Sequence, residues 1–330
     1  MKISIIGAGA WGTTLANVLC DNNHEVIIYD INEKNINKIN SEHLHPFFDV
    51  AINKGIRATS NLKEVVKFST IILLAVPTKV MRAVLKEINN VLEVPMNFID
   101  VSKGLEIETS KRVSDLIEEE IDKKYFSNYA VLTGPSHAEE VILKKLTLLT
   151  VASNNSDYAK LIQELFSNDS YLRVYRTDDV IGAEVGGATK NAIAVVSGMI
   201  AGFGMGENAR AALITRGILE IARVVEFYGG NKETAFGLTG VGDLIVTASS
   251  VHSRNYRAGV KLGEGISLED VYLQEKQTIE GIRSIEALYA LATKENLYLP
   301  IITTAYKVIF EKYPLQEAVV GLLTLKLKEE

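Results

Sequence analysis

The sequence predicts an α/β fold, with a mostly parallel sheet domain over residues 1–177 and an all-α domain over residues 178–330. Three observations carry this expectation. A glycine-rich turn near the N-terminus joins a short apolar strand to an apolar helix. Strand-length apolar runs then alternate with amphipathic helical segments, as in a sheet covered on both faces. From Asp178 onward the periodicity is helical almost throughout, with no persuasive strand alternation.

The first strand is Lys2-Ile3-Ser4-Ile5-Ile6, and Gly7-Ala8-Gly9-Ala10-Trp11-Gly12 follows it at once, ahead of the helical run Thr13–Cys20. This is a G-x-G-x-x-G turn in its proper context. Gly7 permits the tight turn, Gly9 lets backbone approach a pyrophosphate, and Gly12 lets helix pack on strand, with the helix N-terminus facing the anion. A second strand, Glu25–Tyr29, ends in Asp30, where an acidic residue can hold the adenosine ribose. Alone, the motif could be a structural turn. With both strands and Asp30 in register it reads as a Rossmann-like dinucleotide site.

Further strands are expected at 70–76, 97–101, 129–132, 146–151 and 171–175, with helices at 78–92 and 109–121 between them. In the second half, helices are expected at 209–228, 282–295, 301–312 and 316–326; the first stops at Gly229-Gly230. The apolar stretch from Ile181 to Gly204 is long enough to suggest a membrane span. Glu184, Lys190 and Asn191 inside it argue instead for one or two buried helices.

The 330 residues exceed the usual single-domain size, so two domains are the natural prior. A net charge of −6 with no basic stripe gives no electrostatic case for nucleic acid. Cys20 is the single cysteine, so no internal disulfide is expected, and it reads as a small core residue. The chain leads straight from Met1 into the first strand, without a signal peptide, and a cytoplasmic protein is expected. His24, His43, His45, His137 and His252 show no metal-ligand spacing, and no metal is expected.

Lys190 is the most informative polar residue. A lysine ammonium is strongly hydrated and is rarely buried without a partner. Desolvation in an apolar helix would make it a usable acid or base near neutral pH, whereas the blander reading is a lysine snorkelling from a helix edge. Four other clusters fall near strand ends or turns. Lys103, in Ser102-Lys103-Gly104, would project from the C-terminal edge of a strand or face water as a surface lysine. In Gly134-Pro135-Ser136, Ser136 could cap a helix with Glu139 as a capping box, or its hydroxyl could receive a substrate oxygen. Asp243 and Thr247 stand four apart, on one face if helical, although Asp243 could simply be a cap. Ser253-Arg254-Asn255 offers a hydroxyl, a guanidinium and an amide, which suit a phosphate.

These motifs, together with Glu184-Val185-Gly186-Gly187-Ala188-Thr189-Lys190-Asn191 and Gly240-Val241-Gly242-Asp243-Leu244, resemble the bacterial-type NAD(P)-dependent glycerol-3-phosphate dehydrogenases along nearly the whole chain. The resemblance implies interconversion of dihydroxyacetone phosphate and sn-glycerol 3-phosphate, supply of glycerol 3-phosphate for glycerophospholipid synthesis, and a homodimer. It implies that Lys190 is the proton acceptor, with Lys103, Asp243 and Thr247 around the reacting carbon. Asn191, Arg254 and Asn255 would hold the substrate phosphate, helped by Gly134, Ser136 and Ser253. Cofactor contacts would come from Ala10, Trp11, Lys103, Ala138, Arg254, Thr278 and Glu280, beside Gly7, Gly9, Gly12 and Asp30. Asp30, followed by the uncharged Ile31 and Asn32, favours NADH over NADPH. The chain departs from the family pattern at 41–55, which lacks the expected glycine- and proline-bearing sequence.

Overall fold

A computed structural model describes residues 1–274 and 279–323. The chain divides into two compact units, Met1–Glu106 with Lys111–Glu184, and Ile107–Ser110 with the chain from Val185 onward.

In the first unit, strands β1 (Lys2–Ile6), β2 (Glu25–Tyr29), β3 (Arg57–Thr59), β4 (Ile71–Leu74), β5 (Met96–Asp100), β6 (Phe126–Thr133), β7 (Thr147–Ala152) and β8 (Leu172–Thr177) form one sheet. Its order is β3-β2-β1-β4-β5-β6-β7-β8, parallel except between β6 and β7. Helices α1 (Ala10–Asp21), α2 (Glu33–Asn37), α3 (Leu62–Phe68), α4 (Thr78–Asn89), α5 (Val113–Glu120), α6 (Ala138–Val141) and α7 (Ser156–Phe166) accompany it. Alternate strand residues point to opposite faces. Ile5, Leu73 and Ile99 pack with Leu15 and Leu19 of α1 and Ile162 of α7. Ile6, Leu74 and Phe98 pack with Met81 and Leu85 of α4 and Leu116 of α5. Burial on both faces is why these strands read as continuous apolar runs.

Strand order reverses at β1 and β4, and the crevice at the carboxyl ends of strands there is where such sheets take ligands. The turn after β1 is built for close packing. Gly7 has φ +112°, and a side chain on it would stand 2.6 Å from the Ala75 carbonyl oxygen. A Cβ on Gly12 would lie 2.1 Å from the Gly7 carbonyl oxygen, so α1 sits directly on the turn.

Two expectations shift. β3 was not anticipated, because three residues pairing along β2 carry too little alternation to read. The helix expected over 109–121 begins only at Val113, since Ser110 has φ +56° and interrupts it, and Arg112 is the cap residue.

The helices of the second half are α8 (Val180–Gly202), α9 (Gly206–Phe227), α10 (Asp243–Ser249), α11 (Arg254–Gly263), α12 (Leu268–Gln274), α13 (Glu280–Glu295), α14 (Pro300–Phe310) and α15 (Leu315–Leu323). Among the described residues no strand follows β8, and the last three residues of the helix expected at 316–326 lie outside them. α8 is one helix, and every residue from Gly182 to Met199 is buried. It packs backbone to backbone on α11: a Cβ on Gly259 would stand 2.0 Å from the Val195 carbonyl oxygen, and one on Gly198 2.1 Å from that of Tyr256. Among the described residues no helix is long and apolar enough to cross a membrane.

Candidate active site

Lys190 does not snorkel. It is 3% exposed, and its Nζ donates to Asp243 Oδ1 at 2.6 Å and to Thr247 Oγ1 at 2.7 Å. Its partners come from α10, where the four-residue spacing of Asp243 and Thr247 puts both on the face toward α8. Thr247 in turn donates to the Asp243 carbonyl at 2.6 Å, which orients its oxygen toward the amine. The turn before α10, Leu238–Gly242, is a wide helical turn, and a Cβ on Gly240 would stand 2.0 Å from the Ala235 carbonyl oxygen. The capping alternative for Asp243 is corrected: Gly242 holds the cap position, and the Asp243 carboxylate reaches Lys190. An ammonium taken out of water needs such a partner, and here it has a carboxylate and a hydroxyl.

The neighbouring Asn191 is buried too. Its Oδ1 accepts from Asn255 Nδ2 at 2.9 Å, and Asn255 Oδ1 accepts the Gly281 amide at 2.9 Å. This relay joins α8, α11 and α13. Ser253 caps α11, its hydroxyl accepting the Tyr256 amide, while Arg254 is exposed at the first helical position. Glu280 opens α13. Thr278 lies outside the described residues.

In the first unit, Lys103 is half-buried and not a free surface lysine. Its Nζ donates to the Gly134 carbonyl at 3.1 Å and approaches Ser136 Oγ at 3.4 Å, so two of the motifs meet. Gly134 has φ +135°, and a Cβ there would lie 3.2 Å from the Leu149 backbone. The capping box at Ser136 is corrected: His137 occupies the cap position of α6, and the Ser136 hydroxyl donates back to the Gly134 carbonyl at 2.9 Å. Ala138 is the first residue of α6 and is buried.

At the glycine turn, α1 has no side-chain cap on its N-terminus and no acidic residue in its first turn. A Cβ on Gly9 would meet nothing within 4 Å. An uncapped helix N-terminus with an open backbone face fits a pyrophosphate. Ala10 and Trp11 form the first turn of α1, with Trp11 packed against the core. Asp30 does more than end a strand. Its Oδ2 accepts the Ala8 amide and its Oδ1 the Asn32 amide, both at 2.8 Å. Cys20 is inert by environment, since burial and Asp21 push its thiol up to about 11.

Three buried polar groups had no role assigned to them from the sequence. Glu184 is 7% exposed and accepts from the Ser114 amide (2.9 Å), the Ser114 hydroxyl (2.7 Å), the Tyr129 hydroxyl (2.7 Å) and Arg112 (3.3 Å). Glu220 accepts the amides of Ile301 (2.6 Å) and Ile302 (3.2 Å), capping α14 behind Pro300. His45, in the segment that departs from the family pattern, is fully buried. A glutamate inside an apolar helical face, as at 184 and 220, was a readable signal; nothing local marks the partners.

A doubly wound sheet with a glycine turn, joined to a helical unit holding a buried lysine–aspartate pair, defines a two-domain nucleotide-dependent dehydrogenase architecture. A solved structure of D-mandelate dehydrogenase shares the fold at TM-score 0.63 and 16% identity, over 94% of this chain and 98% of that one. Residues 2–159 match the N-terminal domain, and residues 179–320 the C-terminal domain, of NAD-dependent glycerol-3-phosphate dehydrogenase. The chain belongs to this family. It is 59% identical to the NAD(P)+ glycerol-3-phosphate dehydrogenase of Acholeplasma laidlawii, over all of this chain and 99% of that one. It is 47% identical to the enzyme of the same name from Phytoplasma mali, again over 100% and 99% of the two chains. The crystal structure of glycerol-3-phosphate dehydrogenase from Coxiella burnetii superposes with TM-score 0.92 at 33% identity, covering 98% of this chain and 99% of that one.

Proposed function

We propose that this chain interconverts dihydroxyacetone phosphate and sn-glycerol 3-phosphate with NAD(P)H, and that Lys190 carries the proton. The observation behind this reading is the buried Lys190 held between Asp243 and Thr247. When bound, the dinucleotide supplies or takes the hydride at the carbinol carbon. Lys190 Nζ gives a proton to the oxygen of that carbon as negative charge develops there, and takes it back in the oxidation. Asp243 and Thr247 fix Nζ in direction, so the transfer needs no rearrangement of the donor. Lys103, steadied by the Gly134 carbonyl, adds positive charge for the substrate oxygens and the cofactor.

Arg254 supplies the cation for the substrate phosphate. Asn255 has its carbonyl on Gly281 and an amide hydrogen on Asn191, so its contribution is largely to hold Asn191 and the start of α11 in place. Gly134, Ser136 and Ser253 position the substrate. Gly7, Gly9, Ala10, Trp11, Gly12, Ala138, Thr278 and Glu280 serve the dinucleotide. Asp30 favours NADH, because a 2′-phosphate would bring like charge to its carboxylate and the following Ile31 is uncharged and 82% exposed. The reading extends to a cytoplasmic homodimer that supplies glycerol 3-phosphate for glycerophospholipid synthesis.

The test is loss of NADH absorbance on adding dihydroxyacetone phosphate to the purified protein, with NADPH and unphosphorylated dihydroxyacetone in parallel. Turnover is expected with the phosphate ester and NADH. Arg254→Ala should cost on the order of 2–5 kcal/mol in kcat/KM for the phosphate ester and far less for the plain ketone. Equal losses would remove Arg254 from the phosphate. Asp30→Asn, which keeps an acceptor for the Ala8 amide, should narrow the NADH:NADPH ratio; an unchanged ratio would show that Asp30 does not read the ribose.

A further inference from the structure

The segment 43–52 folds back on itself and is fastened to the glycine turn by one buried side chain. Leu44 bridges to Ala51, the His45 amide donates to the Val50 carbonyl at 2.9 Å, and the Ile52 amide to the His43 carbonyl at 2.9 Å. Phe48 and Val50 pack against the core under α1, and the Asn53 amide donates to Asn17 Oδ1 of α1 at 2.8 Å. His45 stacks on Phe48 at 4.4 Å between ring centroids. Its Nδ1 lies 3.1 Å from the Phe47 amide and its Nε2 3.1 Å from the Ala10 carbonyl oxygen.

These contacts settle the tautomer. An amide can only donate, so Nδ1 is bare; a carbonyl can only accept, so Nε2 carries the hydrogen. Burial pushes the imidazole down to about 4, so this neutral donor persists across the ordinary pH range.

The bond falls on the residue between Gly9 and Trp11. Side-chain restraint on this stretch is sparse, since the glycines have none to offer and Gly9 gives α1 no side-chain cap. Ala8 is held by Asp30, and Ala10 by His45 together with Thr14, whose hydroxyl donates to the same carbonyl at 2.8 Å. Gripping the residues on both sides of Gly9, at the Ala8 amide and the Ala10 carbonyl, fixes the direction of the amides that meet a pyrophosphate. We infer that His45 is a positioning residue for dinucleotide binding, holding the first turn of α1 through its Nε2–H bond to the Ala10 carbonyl. This rests on the reading that the glycine turn holds the dinucleotide.

The test compares His45→Leu, which fills similar space without a donor, with His45→Gln, which can present an N–H at the place of Nε2. Trp11 is the only tryptophan in the chain, so quenching of its fluorescence by NADH reports binding at this turn without turnover. H45L should weaken NADH about tenfold, the worth of one hydrogen bond, and H45Q should return affinity to within about threefold. In turnover assays, the loss should fall on KM for NADH while kcat stays within about twofold. A folded H45L protein that binds NADH like wild type, or an H45Q protein as weak as H45L, would overturn the role. Should H45L fail to fold, imidazole nitrogen NMR on the wild type decides, because a protonated Nδ1 contradicts the bond to Ala10. Wild-type protein that does not bind NADH at all would overturn the dinucleotide reading instead.

Discussion

Helix α8 carries two buried charges six residues apart, and they differ in what surrounds them. Glu184 is ringed by donors: a backbone amide, two hydroxyls and the Arg112 guanidinium. Even so, burial holds its carboxyl above the ordinary glutamate range. Its bonds reach the first turn of α5 and strand β6, so its work is to fasten elements together. Lys190 is as well buried, but its partners are a carboxylate and a hydroxyl, groups that can keep a proton donor aimed. Burial of a charge therefore does not identify a site. The chemical character of the partners does.

Glu184→Ala should show the largest effect of that difference. It strips four donors of their acceptor and should cost about 3–5 kcal/mol of stability in urea titration, as breaking a buried ionic network does. At low denaturant, where the protein remains folded, kcat should stay within about threefold of wild type. A stable Glu184→Ala protein with collapsed kcat would break the distinction between the two charges.

Glu220 is a second fastening carboxylate and sharpens the point through pH. Burial raises it to about 7 from 4.5. For a raised acid, the stabilising contribution is fully present below the unfolded value and is lost as pH rises through the folded one. Wild type should therefore lose stability relative to Glu220→Gln between about pH 4.5 and 7, by on the order of 3 kcal/mol. Parallel denaturation curves at several pH values would measure it. A flat difference between the two proteins would mean that the carboxylate is stabilised where it sits.

The smallest effect belongs to Thr247→Val, which keeps the shape of the side chain and removes its oxygen. Lys190 retains Asp243, so kcat should fall about five- to tenfold, the worth of one hydrogen bond, with little change in KM for the substrate. An unchanged kcat would confine Thr247 to packing.

Much of this was legible because it is local. The strand, glycine turn and helix at 2–20 announce themselves through spacing, and Asp243 with Thr247 through a helical repeat. The pairing of Lys190 with α10 across more than fifty residues is tertiary, and only the family resemblance pointed to it. The capping box at Ser136 failed because the segment after Gly134 turns one residue later, so that His137 is the cap residue and Ala138 begins the helix. β3 is too short to show a period. His45 was silent because a lone histidine in an irregular segment has no pattern to match, and its partners, the main-chain groups of Phe47 and Ala10 and the Thr14 hydroxyl, are set by the tertiary fold.

The most direct test of Lys190 as the proton carrier is chemical rescue. Removing the side chain also leaves Asp243 buried without its cation, so Lys190→Ala must first be shown to be folded by circular dichroism. Its kcat for dihydroxyacetone phosphate reduction should then fall by about 10² or more, the usual size of a lost general acid. Added primary alkylammonium, small enough to enter the space left beside Asp243, should restore turnover in proportion to its concentration. A folded Lys190→Ala protein with near-normal kcat, or one whose lost turnover no amine restores, would contradict the assignment.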